Sequence, residues 1–290
     1  MQGKYINPYT DFGFKRIFGQ EANKDILISF LNSLLPQKHQ VADLRFLNTE
    51  RTPHNIELHT PILDIFCESP SGEQFIVEMQ KKNQALFLDR SVYYTACAIR
   101  DQVERGRKDY DLVAVYFIGI MDFTHKFNDG PPRLITEVSL KDNEGRLVYN
   151  KLLMYFVQMP LFTKTESELV TQLDKWFWFL QNLPDLDHIP SVLGEPVFAK
   201  AFETAKTSVM TREERLKYHQ AWDALVTTKD MVETALAEGL AEGLAKGLAE
   251  GLAEGKAEGL AEANRENAIK IKAAGIPSEI ITQITGIKDI

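Results

Sequence analysis

At 290 residues, 44% of them hydrophobic and 10% aromatic, the chain has an ordinary globular composition and enough length for one sizeable core with appendages, which excludes a disordered protein. Its formal net charge of −8 excludes a surface that is basic throughout. Residues 1–230 are nearly balanced in sign, so any nucleic-acid contact must come from a local basic patch.

Two cysteines, Cys67 and Cys97, show no metal-type spacing and fit a reducing cytoplasm. The start has no apolar leader core, and no run reaches the ~18 apolar residues that a membrane span needs. A cytoplasmic protein without a membrane segment is expected. Six scattered histidines offer no H-E-x-x-H pair, which argues against zinc.

Asn7–Gly19 opens the fold as a short aromatic helix capped at Thr10 or Asp11, with Phe14, Ile17 and Phe18 as core. A second helix carries Ile26, Leu27, Phe30, Leu31, Leu34 and Leu35 and stops at Pro36. Ala42–Leu47 reads as a first strand. Next, Pro61–Lys82 places strand-type residues on either side of Ser69-Pro70-Ser71-Gly72, a dense turn signal, and so predicts a β-hairpin. Alternation along the strand puts Glu78 and Gln80 on one face, and a five-residue loop sets Asp64 roughly opposite Glu78. Both carboxylates lie among Ile, Leu, Val and Phe. Two buried like charges are costly unless something positive joins them, and a divalent cation is the natural compensation.

Phe87–Arg105 is predicted to be a helix with Leu88, Val92, Ala96, Ile99 and Val103 as its apolar stripe. Its other face carries Arg90, Tyr93, Tyr94, Arg100 and Arg105, and would place Arg90 and a tyrosine, Tyr93, beside the hairpin carboxylates where phosphate oxygens would lie. The near-continuous apolar run at 109–122 has the character of a central strand buried on both faces, reached by a β-α-β crossover. Strands follow at Leu134–Leu140 and Leu147–Val157. Helices are expected at Glu166–Leu183 and Val197–Val209, and a capping box at Thr211–Glu214 starts a longer one.

The order helix, strand, hairpin with D…E-x-Q, helix, buried strand resembles the α-β-β-β-α-β core of the PD-(D/E)XK nuclease superfamily, closest to its branch of recombination-promoting nucleases and transposases. The residues that carry the likeness are T-D-F-G-F-K-R-I-F-G at Thr10–Gly19, L-D-I and F-I-V-E-M-Q around Asp64, Glu78 and Gln80, R-S-V-Y-Y at Arg90–Tyr94, and the tail of E-G repeats. The resemblance implies an α/β fold with a restriction-endonuclease-like mixed sheet. It implies that Asp64 and Glu78 ligate Mg²⁺ (Mn²⁺ as substitute), that Gln80 stands where the superfamily has lysine, and that Asp11 is a weaker acidic contributor. Glutamine can orient a water but brings no charge. Lys81 should face away from the site on an ideal strand, whereas Lys82 returns to the same face. The implied activity is Mg²⁺-dependent DNA cleavage of low sequence specificity in support of recombination or transposition. The alternative is a catalytically weak DNA-binding or oligomeric scaffold that keeps the fold.

From Leu236 to Ala263 the chain repeats L-A-E-G with a period of four. Each glycine costs a helix about 1 kcal/mol against alanine, so Gly239, Gly243, Gly247, Gly251, Gly255 and Gly259 together oppose an isolated helix by about 6 kcal/mol. Such a helix needs a partner, and the small Gly and Ala positions favour self-association, which predicts a homo-oligomer; a low-complexity spacer is the other reading. The end, Ala268–Ile290, resembles the start of a helix-turn-helix without a third helix, and is expected to act as an oligomerisation or docking cap. The expected organisation is therefore a nuclease-like core at 1–160, a helical extension at 161–235, the repeat at 236–263 and a short cap at 264–290.

Overall fold

The structure, a computed structural model, describes residues 3–49, 63–81, 86–104, 111–127 and 129–287. Two units can be distinguished, Met1–Asp223 and Ala224–Ile290.

The first unit is built on a mixed sheet of six strands. Helices α1 (Asp11–Phe18) and α2 (Lys24–Leu34) precede β1 (Arg45–Phe46), β2 (Ile65–Glu68) and β3 (Gln74–Gln80). Helix α3 (Phe87–Glu104) leads to β4 (Val115–Met121), followed by the hairpin of β5 (Ile135–Lys141) and β6 (Leu147–Gln158). The strand order is β1-β2-β3-β4-β6-β5; β3, β4 and β6 run parallel, and the remaining pairs are antiparallel. Every residue of β3 and β4 is buried, as expected of central strands covered on both faces. Phe75, Val77, Tyr116 and Ile118 face a large core shared with α1, α2, α4 (Gln172–Asn182) and α5 (Pro196–Ala205). Ile76, Val115, Phe117 and Phe156 face a smaller one with Phe87 and Ala98 of α3. The fold is thus α/β, with the sheet between two helical layers.

Several boundaries differ from the sequence reading for identifiable reasons. The first strand shrinks to two residues. Helix α4 starts at Gln172 because Thr171 and Asp174 form a capping box there, while Glu166–Glu168 is a separate 3₁₀ turn with its own box from Thr165 and Glu168. Helix α5 ends at Ala205, and the next residue, Lys206, bridges to Tyr5. The inward face of α3 is the clearest correction. Val92 is 58% exposed, whereas Ser91, Thr95, Ala98 and Gln102 are buried. Ser91 Oγ donates to Leu88 O and Thr95 Oγ1 to Ser91 O, both at 2.7 Å. Hydroxyls satisfied on their own helix need no other partner, so these small residues let α3 lie close on the sheet.

Helix α6 (Arg212–Ala273) begins in the first unit, where Thr211 and Glu214 exchange the expected capping bonds. The remainder of α6 and helix α7 (Ser278–Thr285) make up the second unit, in which Ala268 and Ile281 are buried. Among the described residues no helix is long and apolar enough to cross a membrane.

Candidate active site

The turn at 69–73 pairs Ile65 with Val77, so Asp64, one residue before β2, comes opposite Glu78. The two carboxylates hold each other's backbones. Glu78 Oε1 accepts from Asp64 N at 3.0 Å, and Asp64 Oδ2 accepts from Met79 N at 2.8 Å. Glu78 is 6% exposed. Burial, and next the charge of Asp64, push its pKa up to about 8, against the Asp64 N–H and the charges of Arg90 and Lys15. Burial likewise raises Asp64, against the Met79 N–H and Lys15. Desolvated carboxylates side by side hold protons tightly because neither can ionise cheaply next to the other.

Such a pair suits a hard cation. Magnesium takes oxygen ligands, commonly one or two carboxylates with water and phosphate completing its octahedron. Among the described residues no cluster of three His, Cys, Asp or Glu side chains adds to the pair. Asp64 and Glu78 would thus be its protein ligands, with open positions left for water and substrate.

Gln80 closes β3 on the same face and is buried; its Oε1 accepts from Arg90 Nη2 at 2.6 Å. Arg90 lies 5.9 Å from the Phe87 ring and 6.0 Å from the Tyr94 ring. Phe87 reaches the sheet at Gly119, which stands beside Glu78 in β4; a Cβ there would meet Phe87 Cζ at 3.1 Å. Arg90 is thus brought to the E-x-Q strand as the sequence suggested. The tyrosine at this site is Tyr94, whose hydroxyl is raised by burial and by the charges of Glu78 and Asp64, against Arg90. Tyr93 is 40% exposed and its hydroxyl bonds toward Cys97 instead. Residues four apart share a helix face and adjacent ones do not, and Tyr94 is i+4 from Arg90.

Asp11 touches the site through Lys15 and is otherwise felt by Asp64 as a charge. Thr10 is the cap, its Oγ1 accepting from Gly13 N, and Asp11 is a well-exposed first-turn residue whose Oδ1 is 2.8 Å from Lys15 Nζ. That same Nζ is 4.0 Å from Asp64 Oδ1. Lys82 lies outside the described residues. Lys81 follows the last residue of β3 and is within electrostatic reach of Asp11, Asp64 and Asp122, whose charges oppose the lowering of its pKa by burial. Sequence reasoning missed Lys15 as a site residue; its signal was the i,i+4 spacing from Asp11 within T-D-F-G-F-K.

No curated protein and no solved structure gives a significant match. A sequence profile of the family described as PD-(D/E)XK nuclease family transposase matches residues 8–235, which take in the whole six-stranded sheet with its carboxylate pair, and the chain belongs to that family.

Proposed function

We propose that the protein is a Mg²⁺-dependent DNA endonuclease of low sequence specificity that makes breaks in support of recombination or transposition. The observation that carries this reading is the reciprocal clamp between the partly buried Asp64 and the buried Glu78, two carboxylates with raised proton affinity at the end of the central hairpin. A divalent cation bound there would neutralise phosphodiester charge and lower the pKa of an attacking water. Asp64 and Glu78 hold the site open in one geometry, because each is fixed by the other's strand. Gln80 orients the water, and Arg90 fixes the Gln80 side chain and keeps positive charge beside Glu78. In hydrolysis a P–O bond to water forms, a P–O ester bond breaks, and the leaving oxygen takes a proton. Mn²⁺ should substitute for Mg²⁺, since both accept oxygen donors.

The second unit supports self-association as its role. Leu236, Leu240, Leu244, Leu248, Leu252 and Leu260 are each 59–76% exposed along α6. A second copy is the partner proposed for them.

The test is cleavage of supercoiled plasmid by wild type with Mg²⁺, with EDTA and with Asp64→Ala in parallel. Nicked and linear product in the first sample alone supports the reading. Equal cleavage by the mutant refutes this site, and DNA retention without cleavage under several divalent ions favours a binding scaffold.

A further inference from the structure

Strand β3 brings Glu78 to the site opposite Asp64 without a cation within the strand, since Gln80 is a neutral amide whose oxygen is engaged by Arg90. Positive charge arrives instead from α1, where Lys15 Nζ lies 2.8 Å from Asp11 Oδ1 and 4.0 Å from Asp64 Oδ1. We propose that Lys15, steadied by Asp11, is a catalytic cation of this site, directed at the scissile phosphate beside Asp64 and Glu78. This rests on the nuclease reading above.

Helix α1 is fixed well enough for the role. Phe14, Ile17 and Phe18 are buried to within 1%, Arg16 Nε donates to Thr204 O at 3.0 Å, and the Arg16 guanidinium pairs with Glu214. At the helix end a Cβ on Gly19 would lie 2.9 Å from Lys15 O and 3.5 Å from Ile65 Cγ1. A side chain there would make only ordinary contact with Ile65, so the C-terminal end of the helix that carries Lys15 lies next to the residue that follows Asp64. Lys15 itself is 37% exposed along its side chain and lines, with Asp64, Gly19, Phe46 and Thr49, a cleft of about 290 Å³. Its tip is open to a ligand and yet restrained.

The pairing with Asp11 matters because lysine is a point charge on a flexible stem, and an i,i+4 partner on its own helix restricts where that charge goes. As the O–P bond to water forms and the ester bond breaks, negative charge builds on the phosphate oxygens, and an ammonium already in place stabilises it without reorganisation. Lys15 transfers no proton in this scheme. Among the described residues Lys81 is the other lysine in electrostatic reach of Asp64, and it provides the control.

The experiment compares full-length wild type, Lys15→Gln, Lys15→Arg and Lys81→Gln for plasmid cleavage in Mg²⁺, Mn²⁺ affinity by titration, and binding of a short DNA duplex in Ca²⁺. Lys15→Gln should lose cleavage on the order of 100-fold, bind the duplex less tightly, and bind Mn²⁺ as well as wild type or better because a competing cation has gone. Lys15→Arg should recover part of the cleavage. The proposal is overturned if Lys15→Gln cleaves within about threefold of wild type, a loss too small for a transition-state contact, in which case Lys81→Gln shows whether the charge comes from there. It is also overturned if cleavage and Mn²⁺ binding are lost together, since Lys15 would then only prop the site. If wild type cleaves nothing, the nuclease reading fails by itself, and duplex binding judges Lys15: weaker binding by Lys15→Gln supports a phosphate contact, and unchanged binding overturns it.

Discussion

The two units hold their costly features in opposite ways. In the first, two carboxylates are energetically expensive and a glycine is tightly enclosed, and each has a specific neighbour: Glu78 accepts from Asp64 N, Asp64 from Met79 N, and Gly13 N donates to Thr10 Oγ1 where an added Cβ would meet Asn7 O. In the second, Leu248 is 76% exposed, and a Cβ added to any of the six repeat glycines would meet nothing within 4 Å. A regular pattern in the tail therefore carries less structural information per residue than an irregular one in the hairpin. Close enclosure by neighbours marks a position whose task lies within the unit. Openness marks one whose task depends on something outside the unit.

The sharpest way to break that contrast is to remove a carboxylate. Asp64→Asn and Glu78→Gln should each lower cleavage at least 1000-fold, about 4 kcal/mol of lost transition-state stabilisation. Both should still fold, because the amides keep an oxygen to accept the backbone N–H. A variant that unfolds instead would make the pair a structural feature.

Next in size is Gly13. A methyl there would sit 2.1 Å from Asn7 O, a backbone atom, and 2.7 Å from the capping hydroxyl of Thr10. Gly13→Val should cost about 4 kcal/mol, enough to lower the melting temperature by many degrees. Little change would show that α1 is not held as described, and the placement of Lys15 would fall with it.

A smaller effect separates proton from metal. In the cation-free protein Glu78 has a native pKa raised to about 8 from an ordinary value of 4.5. The native state therefore keeps a proton that the unfolded chain has already released, so the stabilisation is complete below about pH 4.5 and is lost as pH rises through about 8. Thermal melts in EDTA should fall across that window, Glu78→Gln should flatten the fall, and Mg²⁺ should restore stability at the alkaline end. A flat wild-type profile would mean that Glu78 is not desolvated.

How far the site could be read from sequence follows from the same physics. The hairpin was legible because Ser69–Gly72 sets its register and alternation does the rest, so Asp64 and Glu78 meet where parity puts them. The inward face of α3 was not, since Ser91 and Thr95 look exposed until their hydroxyls are seen bonding their own helix. Lys15 was hidden by the ordinariness of its pairing. An Asp four residues before a Lys on a helix is usually a solvent-side pair of little consequence. What distinguishes this pair is Asp64 at 4.0 Å, a contact across 49 positions of chain that no local pattern encodes.

The smallest effect belongs to the tail, and its sign is opposite to that of Gly13. Gly243→Ala and Gly247→Ala add a methyl where nothing lies within 4 Å, in the middle of a helix of 62 residues. Each substitution should stabilise the helix by about 1 kcal/mol, because alanine loses less backbone freedom on becoming helical than glycine does. Circular dichroism on the full chain should show greater residual helix at temperatures where the wild-type tail frays, with plasmid cleavage unchanged. The same pair of variants tests the proposed self-association. Four residues advance a helix by about 400°, so the leucine row drifts about 40° per repeat and offers a partner only a short crossing, with the small residues as its floor. Raising that floor by a methyl should weaken association while strengthening the helix, a divergence that light scattering and circular dichroism would register together. Both quantities rising in step would mean that the glycines serve no contact, and that the repeat is a spacer whose composition favours openness over stability.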